Sequence, residues 1–416
     1  MKRDFDVIVI GGAMAGAAAA ALLAADPKTG SLKIALVEPR PATPPAAAEP
    51  FDLRVSALSR ASQRLLERTG AWPAVQARGA AAYERMVVWD QRSDPAGPAV
   101  LRFDAAELGE PDLGHIVENR AVQAALLASA QQAGVVLLQT DFVRLEAGNG
   151  AVTIALADGR DYRAALAVGA DGSDSAVRTQ AGIAIRGRGY DQRAVVTHLR
   201  PADPHASTAW QRFLDTGPLA LLPLADGRVS LVWTTTAALA QELTACTDEE
   251  FSARVTEASA GILGRLECTA PRASFPLRLL QANQYAAHRI ALVGDAAHTV
   301  HPLAGQGINL AFLDVAALVD VAGDALQAGD DPGERRALRR YERWRKAEAL
   351  PAIALLDGIQ KLFQGDGELR SGLRRSSLEL VQAARPLKRI FMQRALGLSG
   401  EVPASIKSAD RRPSFP

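Results

Sequence analysis

The sequence predicts an α/β protein: a split Rossmann-like dinucleotide-binding domain, an inserted, mainly antiparallel β-sheet substrate domain, and a helical C-terminal region. Three observations carry this. Residues 1–38 read as strand, glycine turn, helix and strand. Strand-like runs dominate from Tyr190 to Phe275. A second strand and glycine-rich turn then return near Arg289, followed by helix-forming sequence to the end of the chain. An α/β unit interrupted by a β-rich block and then resumed is the pattern of one domain inserted into another.

Asp6 to Ile10 is a short β-branched run, as expected for a strand buried on both faces. Ala15 to Ala25 is an alanine-rich helix that stops at Asp26-Pro27, and Lys33 to Glu38 is the next buried strand. Pro39 to Pro50 is a Pro/Ala-rich surface loop. Ser56 to Gly70 has helical spacing and ends on glycine, and Asn119 to Ala133 is a further amphipathic helix. Strands are expected at Met86 to Asp90, Val100 to Phe103, Val152 to Leu156, Leu166 to Val168, Ala194 to Leu199, Leu219 to Leu224, Val229 to Trp233 and Arg289 to Gly294. The expected division is 1–80, 106–182 and 277–335 for the nucleotide-binding domain. Residues 81–105 and 183–276 form the substrate domain, and 336–416 the helical region. At 416 residues the chain has the length of two or three domains.

Composition narrows the function. Apolar residues are 48% and charged residues 22%, which is globular, and a net charge of +1 gives no reason to expect nucleic acid. Residues 331–416 hold 18 Lys+Arg against 10 Asp+Glu, whereas residues 1–330 hold 29 against 36. A basic, apolar-rich tail is either a solvated helical face or a contact for an anionic membrane or acidic partner. Lys388, Arg389 and Arg394 mix there with Leu387, Ile390, Phe391, Met392 and Leu396. Cys246 and Cys268 are the only cysteines and no Cys/His cluster occurs, so neither a metal site nor a disulfide framework is expected. Asp4, Asp6 and the glycines that follow break up the first apolar run. The expectation is a cytoplasmic protein, peripheral at most to the inner face of the membrane.

Gly11-Gly12-Ala13-Met14-Ala15-Gly16 follows the first strand and opens the first helix, as a Gly-x-Gly-x-x-Gly fingerprint must. Gly11 permits the tight turn and Gly16 lets helix and strand pack closely. Ala13 stands where the middle glycine would approach the pyrophosphate. The helix start offers free N–H groups to that pyrophosphate. Glu38 ends the second strand where an acid takes ribose hydroxyls; it would repel a 2′-phosphate, which favours FAD or NAD over NADP. Late in the chain, Val293-Gly294-Asp295-Ala296-Ala297-His298 leads to Pro302-Leu303-Ala304-Gly305-Gln306-Gly307-Ile308-Asn309. A strand-end aspartate suits a sugar-alcohol chain, and a glycine-flanked helix start suits an anionic ring edge. A flavin has both features and a nicotinamide has neither.

Gly294-Asp295 and Ala170-Asp171-Gly172 resemble the second FAD motif and the Asp-Gly motif of the class A FAD-dependent aromatic hydroxylases. Within that class the chain resembles the ubiquinone-biosynthesis flavin hydroxylases. The resemblance rests on Asp52-Leu53-Arg54-Val55-Ser56-Ala57-Leu58-Ser59, Gly114-His115-Ile116-Val117-Glu118-Asn119, Gln211-Arg212-Phe213, Gly217 to Leu224 and His301 to Gly307. It covers about residues 4–350 and implies an FAD-dependent monooxygenase that hydroxylates an aromatic ring through a flavin C4a-hydroperoxide. The substrate it implies is a prenylated phenol of ubiquinone biosynthesis. A soluble phenol or secondary metabolite, an FAD-dependent isoprenoid reductase and a non-catalytic assembly member are the alternatives.

By this resemblance the cofactor-binding set is Gly11, Gly12, Ala13, Met14, Ala15, Gly16, Glu38, Arg54, Gln123, Asp171, Gly294, Asp295, Pro302, Gly305, Gln306, Gly307 and Asn309. Arg54 and Gln123 would lie near the pyrophosphate and ribityl chain, and Gly305 to Gly307 would face the isoalloxazine ring. O2 is the co-substrate, and the reductant is NAD(P)H bound transiently near Asp171, or a protein electron donor. Other proteins of the ubiquinone pathway are candidate partners. Gln211, Arg212, Leu221 and Pro223 are the candidate substrate residues, although a plain strand core would give the same apolar pattern. No catalytic base is identified: His198, His205, His288, His298 and His301 are candidates by type alone.

Overall fold

A computed structural model describes residues 3–97, 100–299 and 307–363 and, near the C-terminus, 388–389, 392–393, 396–397 and 400–407. The expected contacts Pro302, Gly305 and Gln306, with His301, lie outside these residues, as do Leu387, Ile390, Phe391 and Arg394 of the basic tail helix.

The first sheet runs in the order Ala286–Ala287, Ile290–Leu292, Asp161–Gly169, Phe5–Ile10, Ile34–Val37 and Val136–Leu138. Its central strands are parallel: Val7 pairs with both Leu166 and Ile34, and Val168 with Ala291. Val7, Ile8 and Val9 are fully buried, because helices cover both faces of a parallel sheet. The helices of the described residues are α1 (Met14–Ala25), α2 (Arg60–Arg68), α3 (Trp72–Gly79), α4 (Asn119–Gln132), α5 (Ala176–Gln180), α6 (Ala237–Ala245), α7 (Asp248–Ala258), α8 (Gly307–Gln327) and α9 (Arg335–Phe363). None is long and apolar enough to cross a membrane.

The second sheet runs His298–Thr299, Ala273–Ala282, Ile185–Pro201, Val229–Thr236, Gly217–Pro223, Thr208–Leu214, Arg85–Asp90 and Val100–Asp104. It is antiparallel apart from the pairing of Thr208–Leu214 with Arg85–Asp90. Its two faces follow strand parity. Val195, Leu199, Leu219, Leu221, Leu231 and Trp233 pack under Ala240, Leu243, Phe251 and Val255 of α6 and α7. Ala209, Ala220, Leu222, Leu224 and Val232 look the other way, toward Val55, Ala57, Tyr83 and Ile116.

Three expectations are corrected and one, the mainly β insert, is extended. Ser56 to Leu58 is strand rather than helix. Val55–Leu58 pairs with Gly114–Glu118 in a small third sheet, and α2 begins only after Ser59, whose side chain accepts from Ser62 N. The short strand Ala81–Tyr83 joins that same sheet, not the substrate domain. The β-rich block contains two helices, α6 and α7, and α7 is announced by a capping box in which Thr247 and Glu250 bond each other's backbone. Strand Ala273–Ala282 runs through the expected boundary at 276/277, because its register with Ile185–Pro201 continues to Ala282.

Candidate FAD and substrate site

The glycine turn is held by contact rather than by chance. Gly11 has φ +96°, and a Cβ there would lie 2.6 Å from the carbonyl oxygen of Ala170. A Cβ on Gly16 would fall 1.8 Å from the carbonyl of Gly11. Ala13 has φ −66° and is exposed, so the methyl in place of the middle glycine strains nothing in the turn. Helix α1 carries no side-chain cap and no acid in its first turn, leaving its N-terminus to an anion. Gly12 is gripped from both sides: its N–H donates to Glu38 Oε2 at 2.7 Å, and its carbonyl accepts from Gln123 Nε2 at 2.9 Å. Glu38 Oε1 also accepts from Arg40 N. This cradle fits a dinucleotide pyrophosphate.

The third motif meets the first directly. Gly294 has φ +59°, and a Cβ there would sit 3.1 Å from the methyls of both Ala15 and Ala311. Asp295 is exposed, although the surrounding protein still withdraws much of the water from its carboxyl. Crowding by the protein pushes its carboxyl up, against the pull of His298 and Arg54. Arg54 lies 6.0 Å from the ring of Phe275, an exposed aromatic on the inner face of the antiparallel sheet through its register with Ala194. Arg54, Asp295 and Phe275 therefore come together where ribityl chain and ring are expected.

Asp171 and Asn309 are placed differently. The Asp171 carboxylate accepts from Ser175 Oγ and Val177 N, so it caps α5, while its backbone abuts Gly11. Asn309 is buried. Its Oδ1 accepts from Ser59 N and Ser62 Oγ, and its Nδ2 donates to Ala57 O, so its side chain locks α8 to the strand leading into α2.

Three residues escaped the sequence reading. Asp314, fully buried in α8, accepts from Gly294 N (3.1 Å) and Arg345 Nε (2.7 Å) and pairs with His298 Nε2 (2.6 Å). Burial pushes its carboxyl up, but His298 and Arg345 more than reverse this and hold it below the usual range. This network fixes the Gly294–Asp295 turn. Arg178, also buried, donates to Ala296 O and Ser173 O and so joins the Asp-Gly segment to the same turn. An acid inside the apolar run Ala311 to Val319 was the available signal for Asp314. Arg345 stands among many arginines of α9 and offered none.

Parity divides the substrate candidates. Gln211 pairs with Ala220 and shares its inner face. Arg212 points outward and donates to the carbonyls of Glu257, Ala258 and Gln91, pinning the end of α7. Leu221 is core beneath α6 and α7, and Pro223 follows it on that face. Two concavities lie away from the cofactor motifs. One of about 660 Å³ is bordered by Ala80–Ala82, Pro204–Ser207, Leu224, Ala225 and Gly227; the other, about 500 Å³, by Arg212, Trp233 and Arg254. Neither touches a cofactor motif.

Lys388, Met392 and Leu396 are buried within the chain. Met392 and Leu396 join the cluster on the inner sheet face, and Lys388 bonds Glu107 at 2.7 Å. Met392 and Leu396 thus turn their side chains into the protein.

Comparison with known proteins points to the same cofactor. The FAD binding domain family matches residues 4–352. The ubiquinone hydroxylase UbiL of Rhodospirillum rubrum is 36% identical over 394 residues, covering 94% of this chain and 89% of that protein. The 3-demethoxyubiquinol 3-hydroxylase of Escherichia coli is 34% identical, covering 95% and 100%. Among solved structures, p-nitrophenol 4-monooxygenase PnpA from Pseudomonas putida superposes with a TM-score of 0.73 at 15% identity over 95% of this chain and 99% of that one, a likeness of fold.

Proposed function

Since the chain belongs to the FAD-binding-domain family, among the FAD-dependent hydroxylases of ubiquinone biosynthesis, we propose that it hydroxylates the ring of a prenylated phenol in that pathway. The observation that carries the substrate class is the inner sheet face. Ala194, Val196, Ala209, Ala220, Leu222 and Val232 present small and aliphatic side chains on the sheet face turned toward Val55 and Ala57, next along the chain from Arg54. Such a surface suits a flat ring with an apolar substituent.

Bound FAD, reduced by NAD(P)H or a protein donor, supplies the activation of O2. The chain's own residues do the rest. The α1 N-terminus and the Gly12 grip orient the pyrophosphate, Asp295 and Arg54 receive the ribityl side, and the aliphatic sheet face excludes water from the reacting ring.

A quinone profile by mass spectrometry of cells lacking the gene tests the substrate. Accumulation of a prenylated phenol one oxygen short is expected; an unchanged pool in cells without a redundant hydroxylase overturns it. Peripheral membrane contact belongs to the same proposal, because such a substrate resides in the bilayer and residues 331–416 carry an excess of eight positive charges. Flotation with anionic vesicles is expected, and no flotation at low salt rejects the contact.

A further inference from the structure

We infer that Arg78 and Glu118 are positioning residues for the cofactor: together they clamp the chain on both sides of Arg54 and so aim its guanidinium at the FAD. The inference rests on the placement of Arg54 beside the cofactor and adds what holds that side chain there. Residues 39–54 form a Pro/Ala-rich link without helix or strand. Such a link has no ladder to fix its course, so its backbone groups must find partners elsewhere. Three of its carbonyls converge on one guanidinium: Arg78 Nη1 donates to Ala46 O at 3.0 Å, and Nη2 to Glu49 O and Pro50 O at 3.0 and 3.1 Å. Arg78 Nε donates to Glu118 Oε2 at 2.8 Å, and the ring of Phe51 lies 5.5 Å from the guanidinium. Every nitrogen of the fork is used. The Glu118 side chain is 1% exposed, so the carboxylate anchors the fork from inside the protein.

The same acid governs the far side of Arg54. Glu118 pairs with Val55 in the third sheet, and the next residue, Asn119, donates its N–H to Arg54 O at 3.0 Å. Between the two clamps His198 Nε2 donates to Asp52 O, and Asp52 Oδ1 accepts from Arg54 N, both at 2.9 Å. The backbone is thus tied before, at and after a side chain that is itself exposed and reaches over Phe275. A buried ion pair adds little net stability, because desolvation offsets its attraction. What this pair supplies is direction. A planar fork can grip three carbonyls and a carboxylate in one geometry, which the point charge of a lysine cannot.

The test is a double-mutant cycle on the full chain, freed of FAD and titrated with it, with affinity read from flavin fluorescence. Arg54→Ala is expected to raise the Kd for FAD about tenfold. Arg78→Lys keeps a positive charge beside Glu118 but loses the fork, and should raise that Kd about fivefold in the otherwise wild-type chain. In the Arg54→Ala background the same change should matter less than about twofold, because there is no guanidinium left to aim. Arg78→Gln takes the place of the lysine variant if that chain does not fold. No loss of affinity in the wild-type background, or an equal loss in both backgrounds, overturns the inference and leaves the pair a structural tie alone. FAD binding unaffected by Arg54→Ala overturns both the inference and the placement of Arg54 at the cofactor, whereas the quinone profile tests the hydroxylase reading separately.

Discussion

Around Gly12 a single peptide unit is held at its N–H by Glu38 and at its carbonyl by Gln123, and the neighbouring glycines have no room for a Cβ. On the inner face of the antiparallel sheet the construction is the opposite. Small and aliphatic side chains stand on a regular ladder, and the only demand on each position is which way it points. The cofactor region is specified by backbone geometry, so few residue types satisfy each position. The proposed substrate face is specified by parity and volume, so many sequences satisfy it.

The largest effect expected from breaking this contrast is at Asp314. Replacing it by alanine leaves Arg345 buried without its counter-charge and frees Gly294 N, which should cost about 3–5 kcal/mol in denaturant unfolding and lower FAD affinity together. The pH dependence has a definite sign. The folded carboxyl is depressed, so its contribution is complete above the unfolded value of about 3.9 and disappears as pH falls through the lower folded value. The variant should lack that acid limb, and an unchanged acid transition would argue against the network.

A middle-sized pair sharpens the parity argument. Leu221→Ala should cost about 2–5 kcal/mol through the cavity it leaves beneath α6 and α7, yet leave phenol affinity alone. Ala220→Leu, one residue away, should weaken the phenol on the order of tenfold while costing less stability. Equal effects of the two in both assays would contradict the assignment of faces.

The smallest effect is at His198, which shares the inner face and meets Asp52 O at 2.9 Å. Burial lowers its pKa, so the unfolded chain binds the proton first, and stability should decline as pH falls below about 6.5 toward the lower folded value. His198→Gln should flatten that slope. A slope of the same size in the variant would assign it to another group.

The two regions also differ in how much could be read in advance. Strand, turn and helix at residues 5–25 were legible because Gly11 and Gly16 answer to steric demands that leave a mark in the sequence. The Gly294–Asp295 turn was legible for the same reason. Its support was not, since Gly294 and His298 both bond Asp314, which is held in turn by Arg345, and a buried arginine carries no local mark. On the substrate sheet the apolar run Pro218 to Leu224 was visible but its alternation was hidden, because both faces are covered and every second residue is as apolar as its neighbours. Adjacent residues such as Gln211 and Arg212 could not be assigned to opposite sides without the register.

The tie between Asp314 and Arg345 bears on timing. The chain must run through α9 before Arg345 can neutralise the acid that positions Gly294, and Tyr341 must arrive to bond Leu292 O in the strand just before that turn. A nascent chain that has exposed the glycine fingerprint at residues 11–16 therefore still lacks the other half of its cofactor cleft. The Gly294 half of the proposed cofactor site is in this sense completed late in biosynthesis, once some 345 residues have left the ribosome.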